Sequence, residues 1–504
     1  MDALSAVLLP LSLALLAWPQ ATRAACLRLA AWAPLPALAL ALLAPEGLTR
    51  EFPGLLLGTR LGVDATGRLF LAFSALVWLA AGQYARGYLR HDPRRHVFWF
   101  FFLAAQAGSL GLSLAWDAAS FYTLFTLMTF AAWGLVVHNG DAAARRAARV
   151  YLVMALAGEA ALLAGLILAA RAADSLLLAD MASVAVSPPT VALLIAGFGV
   201  KAGLPLLHMW LPLAHPIAPV PASAVLSGVM IKAGLLGWLR CLPLGEQTLP
   251  GAGGVLMVMG LAAVFFGVAL GLAQRDVKTL LAYSSVSQMG YMTLGVGAGL
   301  LAPAQWPALL AAVGLYAAHH ALAKGALFLG VGVLKAHGGG FWVLAGLCAP
   351  ALALAGAPFT SGLLAKTELK AGLAGLAAPW ADLLPALLML GAFGTALLMI
   401  RLLWLSRAQP AGQGKTKLAH AWWLLFMITP ALPWSLAAPS TRAAVLLPEA
   451  LPALLPLAAA LLVSALALRL KWRAPDWPAG DLLILCERLG ARIIPQDTER
   501  GRRP

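Results

Sequence analysis

Residues 191–240 read VALLIAGFGVKAGLPLLHMWLPLAHPIAPVPASAVLSGVMIKAGLLGWLR. Two apolar runs each carry one lysine near the middle, Lys201 and Lys232, and a proline-rich break holding His208 and His215 lies between them. A lysine in an apolar span is costly to bury and tends to lose its proton there. Two of them flanking a broken helix suit a proton path better than a packing role.

The rest of the chain fits that setting. It has 504 residues and is 62% hydrophobic but only 11% charged, whereas a soluble domain carries roughly 25% charged residues. With a mean hydropathy of +0.86, the chain has too much apolar surface for a water-facing fold and reads as an all-α polytopic membrane protein. A transmembrane barrel would show short alternating segments instead. The net charge of +15 does not point to nucleic acid, because the basic residues sit in short loops between apolar runs. Cys26, Cys241, Cys348 and Cys486 form no CxxC pair or metal-ligand cluster, so no metal, iron–sulfur or other cofactor is expected. The first apolar run lacks a preceding basic residue and a small-residue cleavage site, and is expected to be a retained helix.

Fourteen to fifteen spans are expected, near 3–20, 27–45, 67–86, 97–116, 118–138, 149–171, 189–210, 222–240, 252–273, 278–300, 306–334, 341–375, 380–405, 420–437 and 445–470. Loops after odd-numbered spans hold Arg23 and Arg28, then Arg86, Arg90, Arg94 and Arg95, then Arg145, Arg146 and Arg149, and later Arg275, Lys278, Lys335 and Arg407. Loops after even-numbered spans are poorer in bases. The positive-inside rule therefore puts the N-terminus outside and the C-terminus in the cytoplasm. The tail has an amphipathic stretch near 481–494 that suits a membrane surface or a partner.

The seventh span carries Gly203-Leu-Pro205 and the twelfth Gly356-Ala-Pro358. Proline removes an amide donor and clashes with the preceding turn, so both spans should be broken. Lys201 lies beside one break and Lys366 beside the other. Interrupted spans in matching positions point to a transporter built from inverted repeats. The expected organisation is N-terminal helices 1–3 (1–96), a first five-helix repeat (97–240), a second inverted repeat (252–405), C-terminal helices (420–470) and a cytoplasmic tail (471–504). The breaks, with Gly199, should free backbone groups that can hold water at membrane depth.

The intramembrane ionisable residues are Glu159, Lys201, His208, Lys232, His319, His320, Lys324, Lys366, Glu368 and Lys370. Lys370 and Glu368 are near enough to a span end to snorkel. Lys201, Lys232 and Lys324 are mid-span, where they suit a relay with water between them. Histidine suits the same task because its ordinary pKa is near 6.5. Adjacent residues point about 100° apart on a helix, so at most one of His319 and His320 should line the path well. Both are candidates, with a hydrogen bond to a neighbouring helix as the other reading for either. His320 is favoured because it is four residues from Lys324 and shares its helix face.

These segments resemble a known family. FGVKAGLPLLHMWLPLAHPIAPVPASAVLSGVMIKAG (198–234), AQRDVKTLLAYSSVSQMGYMTLGVG (273–297), YAAHHALAKGALFLGVG (316–332) and GAPFTSGLLAKTELK (356–370) are similar, in order, to the antiporter-like subunits of respiratory complex I, membrane-bound hydrogenases and Mrp-type cation/proton antiporters. The first segment is most similar to the Mrp D-type and hydrogenase-4-type subunits. The resemblance implies inverted five-helix repeats and a proton path through Lys201, Lys232, Lys324 and Lys366. It also implies homologous membrane subunits as partners, a redox or soluble arm, and a bacterial cytoplasmic membrane location. One position departs from the pattern. The family has a glutamate on its fifth helix as partner to the lysine of the seventh, and this chain has Thr126 there. Glu159 on the next span is a replacement, or the coupling differs, or this half does not pump. Two other readings stay open: a membrane subunit energising inorganic-carbon uptake with a soluble zinc partner, and a non-pumping structural subunit. The chain alone shows no nucleotide loop or nucleophile–base pair; any enzymatic role would be as a membrane subunit of an oxidoreductase.

Overall fold

A computed structural model describes residues 3–410, 412, 419–446, 448–472, 475, 477–478 and 483–484. The amphipathic stretch expected at 481–494 lies almost wholly outside the described residues.

The chain is a multi-pass helical membrane protein. The first two spans are short or kinked: α1 (Ser5–Leu16), then α2 (Gln20–Leu29) and α3 (Leu35–Leu43), which together cross as Gln20–Leu43. A hairpin follows, in which β1 (Thr49–Phe52) pairs antiparallel with β2 (Thr59–Gly62), Thr49 opposite Gly62. It fills a loop that the apolar periodicity leaves blank. Next come α4 (Ala65–Tyr88), α5 (Arg95–Leu114), α6 (Ala118–Val136), α7 (Ala142–Ala173) and the short α8 (Leu178–Ser183). Aspartates start several of these helices. Asp64, Asp117 and Asp141 accept amide protons from Gly67, Ser120 and Ala144 in the first turns, which satisfies donors a helix start leaves bare.

The seventh span is α9 (Pro188–Ala202) and α10 (Trp210–Ile217), and the eighth is α11 (Val220–Val225) and α12 (Lys232–Cys241). Then follow α13 (Pro250–Leu272), α14 (Val277–Leu301), α15 (Trp306–His337), the twelfth span as α16 (Phe341–Ala355) and α17 (Ser361–Leu373), and α18 (Trp380–Arg407). The last spans are α19 (Ala419–Leu436) with α20 (Pro439–Leu446), and α21 (Ala450–Arg469). Ten helices among the described residues are long and apolar enough to cross a membrane alone. Apart from α14, the remaining expected spans are short, broken or bent: His420–Leu436 and Pro439–Leu446 meet at 119°.

α14 is not among those ten, although it is buried along almost its whole length. Its Ser284, Ser285, Ser287, Gln288 and Thr293 lower its hydropathy, yet they face other helices rather than lipid. Small residues make that burial possible. A Cβ at Gly253, Gly260 or Gly267 of α13 would stand 2.9, 2.9 or 2.6 Å from the backbone oxygens of Gly297, Gly290 or Tyr283. Three glycines seven apart thus let the two backbones touch along one seam.

The two breaks are built alike. At the first, Gly203 is left-handed (φ +74°); its amide bonds Val200 O and the Leu204 amide bonds Gly199 O. At the second, Gly356 (φ +81°) bonds Ala353 O and Ala357 bonds Leu352 O. Both are Schellman ends, which favour glycine. A proline follows two residues on, and the next residue is again left-handed: Leu206 at φ +71° and Phe359 at φ +63°. Both side chains are exposed, 63% and 60%. A left-handed non-glycine residue costs roughly 1–2 kcal/mol, so the same strained corner is built twice.

Candidate proton path in the membrane

Lys201 occupies the last turn of α9, where the Schellman end aims it into the bundle. It is 5% exposed. Its Nζ donates to Thr129 Oγ1 at 3.0 Å and Tyr151 OH at 2.9 Å, and lies 5.4–5.9 Å from the ring centres of Tyr151, Phe125 and Trp210. Tyr151 in turn donates to Thr129 O at 3.1 Å. The break carbonyl Val200 O accepts the Trp210 indole at 2.8 Å, a side-chain partner where water is expected from the sequence.

Glu159 faces the same space from α7. It is also 5% exposed; its Oε2 accepts a hydrogen bond from Thr126, and its Oε1 has no hydrogen-bond partner. A cavity of about 10 Å³ lies between, lined by Glu159, Lys201, Thr129, Tyr151 and Trp210. About that much room holds one water.

A second group of bases lies across the middle of the bundle. Lys232, Lys324, His319 and His320 are at most 1% exposed. Lys232 follows a π-turn at Leu226–Met230. The Ile231 amide reaches back to Leu226 O at 3.2 Å, whereas an α-turn would place it on Ser227 O. The Ser227 carbonyl instead accepts Lys232 Nζ at 2.7 Å. Single π-turns inside helices are frequent at functional sites.

Lys324 donates to Leu281 O at 2.9 Å. The Ser285 hydroxyl donates to that same carbonyl at 3.0 Å and lies 2.8 Å from the Ser227 hydroxyl. With its proton on Leu281 O, Ser285 accepts from Ser227. Lys232 and Lys324 therefore approach each other through two carbonyls, Ser227 O and Leu281 O, and the paired hydroxyls of Ser227 and Ser285, with the carbonyl and hydroxyl of Ser227 linked only through that residue's own bonds. His320 is fully buried, and neither of its ring nitrogens has a hydrogen-bond partner. His319 instead bonds a neighbouring helix: Nδ1 is 2.9 Å from Ser361 Oγ, at the start of α17.

Lys366 is partly buried and donates to the break carbonyl Ala355 O at 2.9 Å, 5.8 Å from the Tyr291 ring centre.

His208 is buried in the first break, its ring 4.9 Å from Phe266 and 6.3 Å from Tyr283. Glu368 is half-buried, with Oε2 unpartnered, and Lys370 pairs at 3.0 Å with Glu449. The path region also has groups that the ionisable residues alone do not reveal: Thr129, Tyr151, Ser227, Ser285 and the bond from Tyr316 to Gln288 at 2.9 Å. Their signal is the run of serines and glutamine in an otherwise apolar span. Lys278, placed in a loop by the charge pattern, is 2% exposed and donates to Ala218 O, closing the turn between α10 and α11.

A family model described as NADH:quinone oxidoreductase/Mrp antiporter, transmembrane, matches residues 115–391. Hydrogenase-4 component B of Escherichia coli is 35% identical over 288 residues, 54% of this chain and 43% of that protein. NADH-quinone oxidoreductase subunit N of Desulforudis audaxviator is 33% identical over 283 residues, 54% and 55% of the two chains. A subunit of an Na⁺/H⁺ antiporter from Alkalihalophilus pseudofirmus is 26% identical over 333 residues, 62% and 66%. The matched region of the first two relatives is about half of their length. The fold is similar to a chain of the archaeal membrane-bound sulfane sulfur reductase, with TM-score 0.73 at 20% identity, covering 90% of this chain and 99% of that one. It is equally similar to a chain of the Mrp complex of a Dietzia species, with TM-score 0.73 at 20% identity, covering 99% and 60%. The matched region holds Lys201, Lys232, Lys324, Lys366 and both breaks, and the chain belongs to the NADH:quinone oxidoreductase/Mrp antiporter transmembrane family.

Proposed function

We propose that this chain is a proton-translocating, antiporter-like subunit of a multisubunit membrane assembly, and that protons move along Lys201, Lys232, His320, Lys324 and Lys366. The observation that carries the reading is the burial of Lys201, Lys232 and Lys324 with polar partners inside the bundle. The amine of each is bonded to a hydroxyl or a carbonyl of a neighbouring residue inside the bundle. A base held away from water can take and release a proton when nearby charge changes. Glu159, His208, His319 and Glu368 belong to the same path, at its first acid, its first break, its second break and its far end. The matching corners at Gly203-Leu-Pro205 and Gly356-Ala-Pro358 support two inverted five-helix repeats, 97–240 and 252–405. Homologous membrane subunits are the partners this reading requires, and a redox or soluble arm is compatible with it. The setting is a bacterial cytoplasmic membrane, with the N-terminus outside and the basic C-terminal end in the cytoplasm.

The test is proton flux in proteoliposomes holding the complete native complex, read by a pH dye trapped inside. Lys201→Ala with Lys232→Ala abolishes flux while the complex still assembles. Flux equal to the unmodified complex would refute the reading.

A further inference from the structure

A carboxylate buried in the membrane with one oxygen unpartnered is costly, and such a group is retained where it serves a neighbour. Glu159 is that group. Its Oε2 is held by Thr126 on the adjacent helix, its Oε1 is buried without a partner, and the residue lines the cavity that Lys201 also lines. Lys201 for its part is held by two neutral hydroxyls, Thr129 and Tyr151. Acid and base are thus separated by the room of about one water.

We propose that Glu159, from α7, is the counter-charge with which Lys201 exchanges its proton, and that Thr126 on α6 positions it. The inference rests on the proton-path reading and assigns the first step within it. The proton leaves Lys201 Nζ through a water in the cavity and ends on Glu159 Oε1. An ammonium and a carboxylate become an amine and a carboxylic acid, and the net charge of the cell is unchanged. Thr126 keeps Oε2 occupied in both states, so Oε1 is the oxygen that meets the water. The position that resembles the family's fifth-helix acid is therefore still in use, as a hydroxyl supporting an acid one helix away.

The geometry gives a rescue experiment. Because Thr126 bonds Glu159, which lines the cavity, a carboxylate placed at 126 lies beside the position of the Glu159 carboxylate. In proteoliposomes with the complete complex, Glu159→Gln lowers proton flux by roughly a hundredfold, the scale of a lost proton-transfer partner. Thr126→Glu added to Glu159→Gln restores a large part of it. Thr126→Ser, which keeps the hydroxyl, leaves flux near the unmodified level, whereas Thr126→Val lowers it. Assembly of each variant is checked by size exclusion. Flux retained in Glu159→Gln while Lys201→Ala loses it would overturn this assignment and leave the proton path standing. An assembled double variant with no recovery would also overturn it. Flux surviving Lys201→Ala with Lys232→Ala would instead defeat the underlying reading.

Discussion

Gly203→Ala and Gly356→Ala change the same backbone feature in different surroundings, and their comparison tests whether the second corner holds Lys366. Both glycines are left-handed, so each alanine costs about 1–2 kcal/mol in backbone energy. At Gly203 the new Cβ meets Leu211 Cδ1 at 3.4 Å and His208 Cβ at 3.9 Å, which is ordinary contact. Its total cost therefore stays at about 1–2 kcal/mol. At Gly356 the Cβ would stand 3.0 Å from Lys366 Cδ and 3.1 Å from Nζ. The lysine must give by a few tenths of an ångström, which weakens its part-buried bond to Ala355 O and adds up to about 2 kcal/mol. Gly356→Ala should therefore be the less stable protein by up to about 2 kcal/mol, and the larger loss of proton flux should be its own. Equilibrium unfolding in detergent measures the first difference and proteoliposome flux the second. Equal stability of the two variants, or a flux loss confined to Gly203→Ala, would refute the argument.

Leu206→Gly relieves a left-handed leucine whose side chain is mostly exposed, and should leave stability unchanged or raise it by about 1 kcal/mol; thermal unfolding in detergent checks this. Ser361→Ala strips His319 Nδ1 of its partner in a buried site and should cost about 1–3 kcal/mol, measured the same way. Deleting Gly228 removes the extra residue of the π-turn and returns Ser227 O to an α-helical amide; the complex should assemble but lose proton flux. At the basic face, burial pushes the Asp92 carboxyl up, but the His138 bond at 2.9 Å, the Arg94 amide and the charges of His138 and Arg94 outweigh it and hold it below its ordinary range. A depressed acid stabilises above its unfolded pKa of about 3.9 and loses that contribution as pH falls through the folded value. Asp92→Asn should therefore lower the melting temperature at pH 7, and the gap should close only below about pH 4.

Most of the bundle was legible in the sequence because lipid imposes a simple rule: a span is a long apolar run. Gly203-Leu-Pro205 and Gly356-Ala-Pro358 announced both corners, since proline and glycine act through the local backbone. Lys201, Lys232 and Lys324 stood out against leucine and alanine. Their partners did not. Ser227, Ser285, Thr129 and Tyr151 are ordinary residues until packing brings α6, α7, α9, α12, α14 and α15 together. The π-turn before Lys232 has no composition of its own. The hairpin at 49–62 was missed because its residues are paired outside any apolar run.

The corners at Gly203 and Gly356 also restrict how such a machine moves. Each has the amides of its glycine and of the next residue bonded back into the preceding helix, a proline fixing one torsion, and a left-handed residue after it. The first is further tied by an indole, the second by a lysine. A joint of that kind behaves as a bracket, not a hinge. Spin labels placed on α9 and α10 should keep one distance throughout turnover, and whatever drives the cycle must swing side chains and solvent over a stationary frame.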